Sequence, residues 1–263
     1  MKASLLSQCL LLIWILICTS VLGVQAIGAN ETVHAVAKGE AVDNKLVKIV
    51  ALLAKRDDIS RRQFRQHYEN NHVPLAKGVF EGWPGYVRNH IDKVYPQQPL
   101  DFDVLTMFWY RDSSHFQSTV ELLNGEAGQI IRADENKFMS KATNRYYPVT
   151  ESGVGFLKHG YRPWNIGFQK STVGASKIIA LVPSTSTRAW LAAVQGFADA
   201  SKPPALIAWV SNQVTDKPEN EFEQISELWF SSLADAEIAV SNWRVELPEI
   251  IFLSVSTFES STL

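Results

Sequence analysis

Ser60–His90 reads SRRQFRQHYENNHVPLAKGVFEGWPGYVRNH, and its division into helix, turn and strand decides the fold. Ser60 followed by Gln63 is a capping box, in which each side chain satisfies the other's backbone N–H. It predicts a helix from Arg61 to Asn70. That helix should stop before Pro74, because a residue preceding proline avoids the helical region. Trp83-Pro84-Gly85 is a turn, and Tyr86–Val94 can form a strand. The stretch holds three of the six histidines, His67, His72 and His90, together with Tyr68, Trp83 and Tyr86. No other stretch gathers as many groups able to exchange a proton near neutral pH.

Working outward, Leu46–Ala54 (LVKIVALLA) is short, branched and nearly unbroken, which suits a buried strand. Phe102–Tyr110 (FDVLTMFWY) is another strand, Ser113–Leu123 and Ile130–Lys141 are helical, and Tyr146–Thr150 is a short strand. The order β-α-β-β-α-β is the ferredoxin-like split βαβ arrangement. It then recurs. Lys177–Val182 (KIIALV) echoes Lys48–Leu53 (KIVALL), Trp209–Val214 (WVSNQV) echoes Tyr86–Ile91 (YVRNHI), and Trp229-Phe230 echoes Trp109-Tyr110. Glu249–Glu259 supplies a last strand. Matches in the same order predict an internal duplication. Each copy has helices on one face of its sheet, so the other face needs a cover. The expected fold is α+β: two ferredoxin-like (βαββαβ) repeats packed sheet to sheet as an intramolecular α+β barrel. Its divisions are a first repeat at 46–151, a Gly- and aromatic-rich linker at 152–175, and a second, degenerate repeat at 176–263.

The ends and the composition bound the partners. Apolar residues make up 46%, and 25 basic residues face 27 acidic ones. That near-balance argues against a nucleic-acid binder, which needs a basic surplus. Residues 1–26 carry Lys2, the apolar run Leu10–Ile17 and small residues at Val24 and Ala26. They read as a secretory signal peptide, which predicts an exported protein with no membrane anchor after cleavage; the alternative is an uncleaved N-terminal anchor. Cys9 and Cys18 are the two cysteines. Both lie in that segment, so the mature chain would have neither disulfide nor thiol nucleophile. Residues 27–45 read as a flexible lead-in, with a glycosylation sequon at Asn30.

With these residues assembled, KIVALLAKRDDISRRQFRQHYENNHVPLA, then GYVRNHI, then DFDVLTMFWY, resembles the EthD domain of the dimeric α+β barrel superfamily. The resemblance covers about Leu46–Ala142 well, and the second half through KIIALV, EFEQISELWFSSLADAE and the closing strand. It implies a barrel carrying a pocket for a small apolar or aromatic molecule. Members occur in degradation clusters for ethers and aromatics and in polyketide pathways, where some act as dehydratases. Related barrels include cofactor-free cyclases and isomerases, monooxygenases and haem-dependent peroxidases. Fold alone does not choose among a cofactor-free dehydratase, cyclase or isomerase, a monooxygenase, and a non-catalytic ligand-binding or scaffold protein.

The candidate residues follow from spacing. Phe64, His67, Tyr68 and Asn71 lie at i, i+3, i+4 and i+7 and share one helix face, which predicts His67 at a pocket edge beside Phe64 and Tyr68. His72 falls beyond the expected helix end, about 140° from His67 on an ideal helix. It reads as a general acid or base, or as a C-terminal cap. Alternation puts Tyr86, Arg88 and His90 on one strand face, with Asp103 across the hairpin to orient His90, or to form a rim pair with it. Tyr86 would donate to an oxyanion. Trp109 is a core residue or a substrate platform, and Arg88 a substrate contact. Metal binding is disfavoured, because His67 and His72 are not at i, i+4. Haem would need one axial histidine, and nothing selects one, so no cofactor is expected. Opposite His67 stands Ala193 and opposite His90 stands Gln213. The second copy keeps the frame and drops the ionisable groups, which predicts one site per chain and a monomer that is its own pseudo-dimer.

Overall fold

The computed structural model describes residues 46–80, 82–156, 175–200, 205–216 and 221–260, without the side chains of 152–156. The expected signal segment, the Asn30 sequon and most of the expected linker lie outside the described residues.

The chain lays down β1 (Val47–Lys55), α1 (Arg61–His67), α2 (Val73–Val79), β2 (Gly85–Tyr95), β3 (Val104–Tyr110), α3 (Ser113–Asn124), α4 (Glu126–Phe138) and β4 (Met139–Phe156). It then repeats the plan with β5 (Ser176–Pro183), α5 (Thr187–Ala200), β6 (Leu206–Val214), β7 (Phe222–Phe230), α6 (Leu233–Glu246) and β8 (Ile251–Ser260). The eight strands close into one antiparallel barrel in the order β1-β3-β2-β8-β5-β7-β6-β4. Each βαββαβ unit contributes four adjacent strands, and the β2–β8 and β4–β6 pairs join the two units. Closure leaves no strand edge unpaired, so neither sheet exposes a ladder of free N–H and C=O groups.

Burial on both faces explains why β1 and β5 read as nearly unbroken apolar runs. Outward residues such as Ile49, Ala51 and Leu53 pack beneath the first unit's helices. Inward residues such as Val50 and Leu52 meet Ile179 and Leu181 of the other unit. The capping box forms as the sequence predicts, with Gln63 N donating to Ser60 Oγ at 3.2 Å and Ser60 N to Gln63 Oε1 at 2.9 Å.

The barrel also has a charged waist. Glu227 takes Lys48 at 3.0 Å and Lys177 at 2.8 Å, one lysine from each unit. Lys48 also reaches Glu151 and Asn212, and Lys177 reaches Asn89. Each ammonium lies over an indole, Lys48 over Trp109 and Lys177 over Trp229. Burial alone would push the Glu227 carboxyl up, but the two lysines outweigh it and hold it at about 2. Burial pulls both lysines down. Lys48, bonded to two carboxylates, still ends above the ordinary lysine value, whereas burial outweighs Glu227 at Lys177 and leaves it below. Buried charges persist only where each is paired and hydrogen-bonded, and here the pairing spans both units.

Two element boundaries differ from expectation. The first helix does not end before Pro74. It passes through a π-helical turn, Tyr68–His72, and continues as α2, with Pro74 in the opening turn of α2. A proline needs no N–H partner in an opening turn. The second difference lies at α4, which starts at Glu126 and ends at Phe138, where β4 begins.

Candidate functional site

The site lies in the layer between the first unit's helices and the outward face of β2 and β3. The π turn builds it. Each π turn holds one residue more than an α turn and shifts the register of everything after it. The face that opens with Phe64 and Tyr68 therefore continues into His72, not Asn71. Asn71 is exposed, and His72 is 5% exposed. His67 and His72, which an ideal helix would hold apart, both reach one carboxylate. His67 Nε2 lies 3.0 Å from Asp134 Oδ1, and His72 Nδ1 lies 3.1 Å from Asp134 Oδ2.

Asp134 comes from α4, on the inward face with Ile131 and Phe138. Phe138 packs against both imidazoles, with ring centroids 4.5 Å from His67 and 5.2 Å from His72. Burial pushes Asp134 up, but its bonds to His67 and His72 outweigh that and leave it below the usual carboxylate range. Burial pulls His72 down more than Glu135 and Asp134 raise it, so His72 titrates below the ordinary histidine value. A carboxylate can only accept, so the Nδ1 of neutral His72 carries the proton and Nε2 is the basic nitrogen.

A second pair stands on β2. His90 Nε2 lies 2.7 Å from Glu69 Oε1, and Arg88 grips Glu69 through Nε and NH2, the latter at 2.6 Å. Glu69 sits in the π turn. Burial pushes its carboxyl up, and the His90 and Arg88 bonds more than reverse this. Burial pulls His90 below the ordinary histidine value. Tyr68 separates the two pairs, its ring 5.3 Å from His72 and 5.7 Å from His90. Its hydroxyl bonds Thr106 Oγ1 at 3.0 Å and receives the Tyr86 hydroxyl at 3.3 Å. Burial pushes the Tyr68 phenol up to about 12, so it stays protonated and able to donate at neutral pH.

Of the residues the sequence singled out, Phe64, His67, Tyr68, His72, Tyr86, Arg88 and His90 come together. Two do not. Asp103 does not orient His90. It lies across from Ile91, one residue out of step with the His90 face, and bonds Arg61 Nε and the Lys55 N–H instead. Trp109 points into the barrel beside Lys48, on the other side of the sheet from the histidines. The orienting acids are Glu69 and Asp134, which sequence reasoning missed. For Asp134 a signal exists: it lies at i+3 from Ile131 and i−4 from Phe138, an acid on an otherwise apolar helix face. Among the described residues, no group of three or more His, Cys, Asp or Glu is arranged to hold a metal ion.

No curated protein sequence matches the chain. An anthrone oxidase-like protein superposes with a TM-score of 0.50 at 12% identity, over 83% of this chain and 94% of that one. A candidate monooxygenase from Fusobacterium nucleatum gives 0.47 at 8% identity, over 83% and 95%. A chlorite dismutase from Candidatus Nitrospira defluvii gives 0.40 at 12% identity, over 81% and 92%. The anthrone oxidase-like protein shares this α+β barrel fold, which here is closed within one chain. Residues 56–142, which contribute both histidine–carboxylate pairs, match the family model of the EthD domain.

Proposed function

We propose that the first unit is a cofactor-free EthD-type site that moves a proton on a small aromatic or polyketide-like carbonyl compound, as a dehydratase, cyclase or isomerase does. The observation that carries this reading is His72, buried, neutral and oriented by a buried carboxylate, beside a phenol that stays protonated. Asp134 holds the His72 ring with Nε2 available as the base. The Tyr68 and Tyr86 hydroxyls supply donors for the enolate oxygen that forms when a proton leaves the neighbouring carbon. His67, whose side chain is 25% exposed, links Asp134 to solvent. His90 with Glu69 is a second acid–base pair on the far side of Tyr68.

On this reading the second unit is a diverged EthD-like copy that completes the barrel, and the chain works as a monomer. The N-terminal 26 residues direct it into the secretory pathway, and Asn30 is glycosylated in a eukaryotic host; N-terminal sequencing and mass of the exported protein test both. The second reading is an oxygen-using monooxygenase on the same scaffold, which draws on the name of the anthrone oxidase-like protein.

The decisive experiment follows hydrogen–deuterium exchange at the carbon next to the carbonyl in a panel of aromatic ketones, by proton NMR in D2O. Wild type should catalyse exchange, and His72→Ala should slow it by about 10²–10⁴-fold. Equal rates in the two proteins would sink the proton-transfer reading. Oxygen consumption with the same compounds, absent in the His72→Ala protein, would favour the monooxygenase.

A further inference from the structure

The charged waist between the two units is nearly symmetric, and strand register shows where it is not. Lys48 on β1 lies across from Trp109 on β3, and Lys177 on β5 lies across from Trp229 on β7. Asn89 on β2 lies across from Leu105, and Asn212 on β6 lies across from Ile225. Each lysine stands over the indole of its own unit and bonds the asparagine of the other. Lys48 Nζ donates to Asn212 Oδ1 at 2.7 Å, and Lys177 Nζ donates to Asn89 Oδ1 at 2.9 Å. Lysine, indole and asparagine therefore repeat from one unit to the other.

The acids do not. Glu227 lies across from Val210 and Ile179, and the same place in the first unit, across from Val87 and Val50, holds Met107. Glu151 lies across from Asn212, and its counterpart across from Asn89 is Thr257. Glu227 gives one oxygen to each lysine, Oε1 to Lys48 at 3.0 Å and Oε2 to Lys177 at 2.8 Å, and Asn212 Nδ2 also donates to Oε1 at 3.1 Å. Met107 is fully buried in the barrel core. Its side chain is unbranched and flexible, as that of glutamate is, so the place can hold either residue.

The consequence appears when each unit is paired with its like. Two first units would bring two copies of Met107 to the centre and leave no carboxylate shared between their lysines. Two second units would bring two copies of the Glu227 carboxylate together inside the barrel, where like charges repel in a medium that screens them poorly. Only the mixed pair sets one acid between two lysines. We propose that the place shared by Met107 and Glu227 is a pairing code: the inner sheet face of each unit fits the face of the other unit and rejects a copy of itself. Specificity of this kind needs a penalty for the wrong partner as well as a contact for the right one, and a buried charge without its counter-charge supplies the penalty. The inference does not depend on the chemistry of the histidines.

Substitutions in the full chain reproduce the like-with-like centres inside one barrel. Glu227→Met places methionine on both sides, and Met107→Glu places glutamate on both sides. Each should lower the midpoint of thermal unfolding, followed by circular dichroism, by about 10 °C. The double variant Met107→Glu/Glu227→Met hands the acid from one unit to the other. It should unfold within about 4 °C of wild type, whereas independent sites would add to a loss of about 20 °C. Additive losses, or a single variant as stable as wild type, would overturn the code. Should a single variant fail to fold, the double variant still decides: a folded protein upholds the code, and an unfolded one overturns it.

Discussion

The helix-facing layers of the two units fill the same frame with different chemistry. In the first, Tyr68 bonds Thr106 on β3, and around that bond stand three imidazoles, two carboxylates and Arg88. In the second, the matching bond runs from Trp190 Nε1 to Ser226 Oγ on β7 at 2.8 Å. Around it are Trp243, 5.0 Å from Trp190, Phe252, and the neutral chain of Gln224, Ser211 and Ser226. An indole with one hydrogen bond fills the volume cheaply. Imidazoles and carboxylates fill it only when each burial cost is met by a partner. The second layer is a neutral hydrogen-bonded chain under packed rings; the first is a set of ionisable groups, each held by a partner.

The largest expected effect separates the layers by activity. Asp134→Ala removes the acceptor that fixes the His72 tautomer, and should slow ketone exchange by about 10²–10⁴-fold. Gln224→Leu, in the second layer, should leave the rate unchanged. A loss of rate in the Gln224→Leu protein would mean that the two layers are not divided into frame and site.

Stability should separate them next. Glu69→Gln leaves Arg88 as a buried charge without its carboxylate, and should cost about 3–5 kcal/mol in urea unfolding. Trp190→Phe keeps most of its packing and loses one hydrogen bond, a cost of about 1–2 kcal/mol with the exchange rate intact. Equal costs would show that the Glu69 cluster is no more strongly coupled than the neutral layer opposite.

The smallest effect is in the pH response. His72 and His90 titrate lower in the folded protein than in the unfolded chain, because burial disfavours their cations. The unfolded state therefore takes up protons first, so stability is full above about pH 6.5 and falls as pH drops below it toward the lowered folded values. Replacing both histidines by glutamine should flatten unfolding free energy between about pH 7 and 5.5. The exchange rate should rise with pH through the lowered His72 value and level off above it, as expected of a base that must be neutral. A rate that falls over that range would make His72 an acid rather than a base.

Much of this was legible in the chain. The runs KIVALL and KIIALV mark the two opening strands, the Ser60–Gln63 box marks the helix start, and strict alternation places Tyr86, Arg88 and His90 together. Local rules treat Pro74 as the stop of the helix from Ser60, whereas the packed layer absorbs it through a π turn, which also exchanges Asn71 for His72 on the buried face. Proximity in the hairpin points to Asp103 as the partner of His90, but a one-residue difference in register puts it out of step. Its true partner, Glu69, stands on the helix above.

Element order, the doubled βαββαβ plan and the half that holds His67, His72 and His90 are legible in the sequence, since periodicity and composition act within a few residues of chain. Only the tertiary structure decided which acid meets which histidine. Those pairs join positions 62 to 67 residues apart on α1, the π turn and α4, or 21 residues apart across helix and strand. Their geometry depends on a helical irregularity that becomes worthwhile only when the layer beneath it is packed. Ser60–His90 is therefore half of the proposed site, completed by Asp134 on α4.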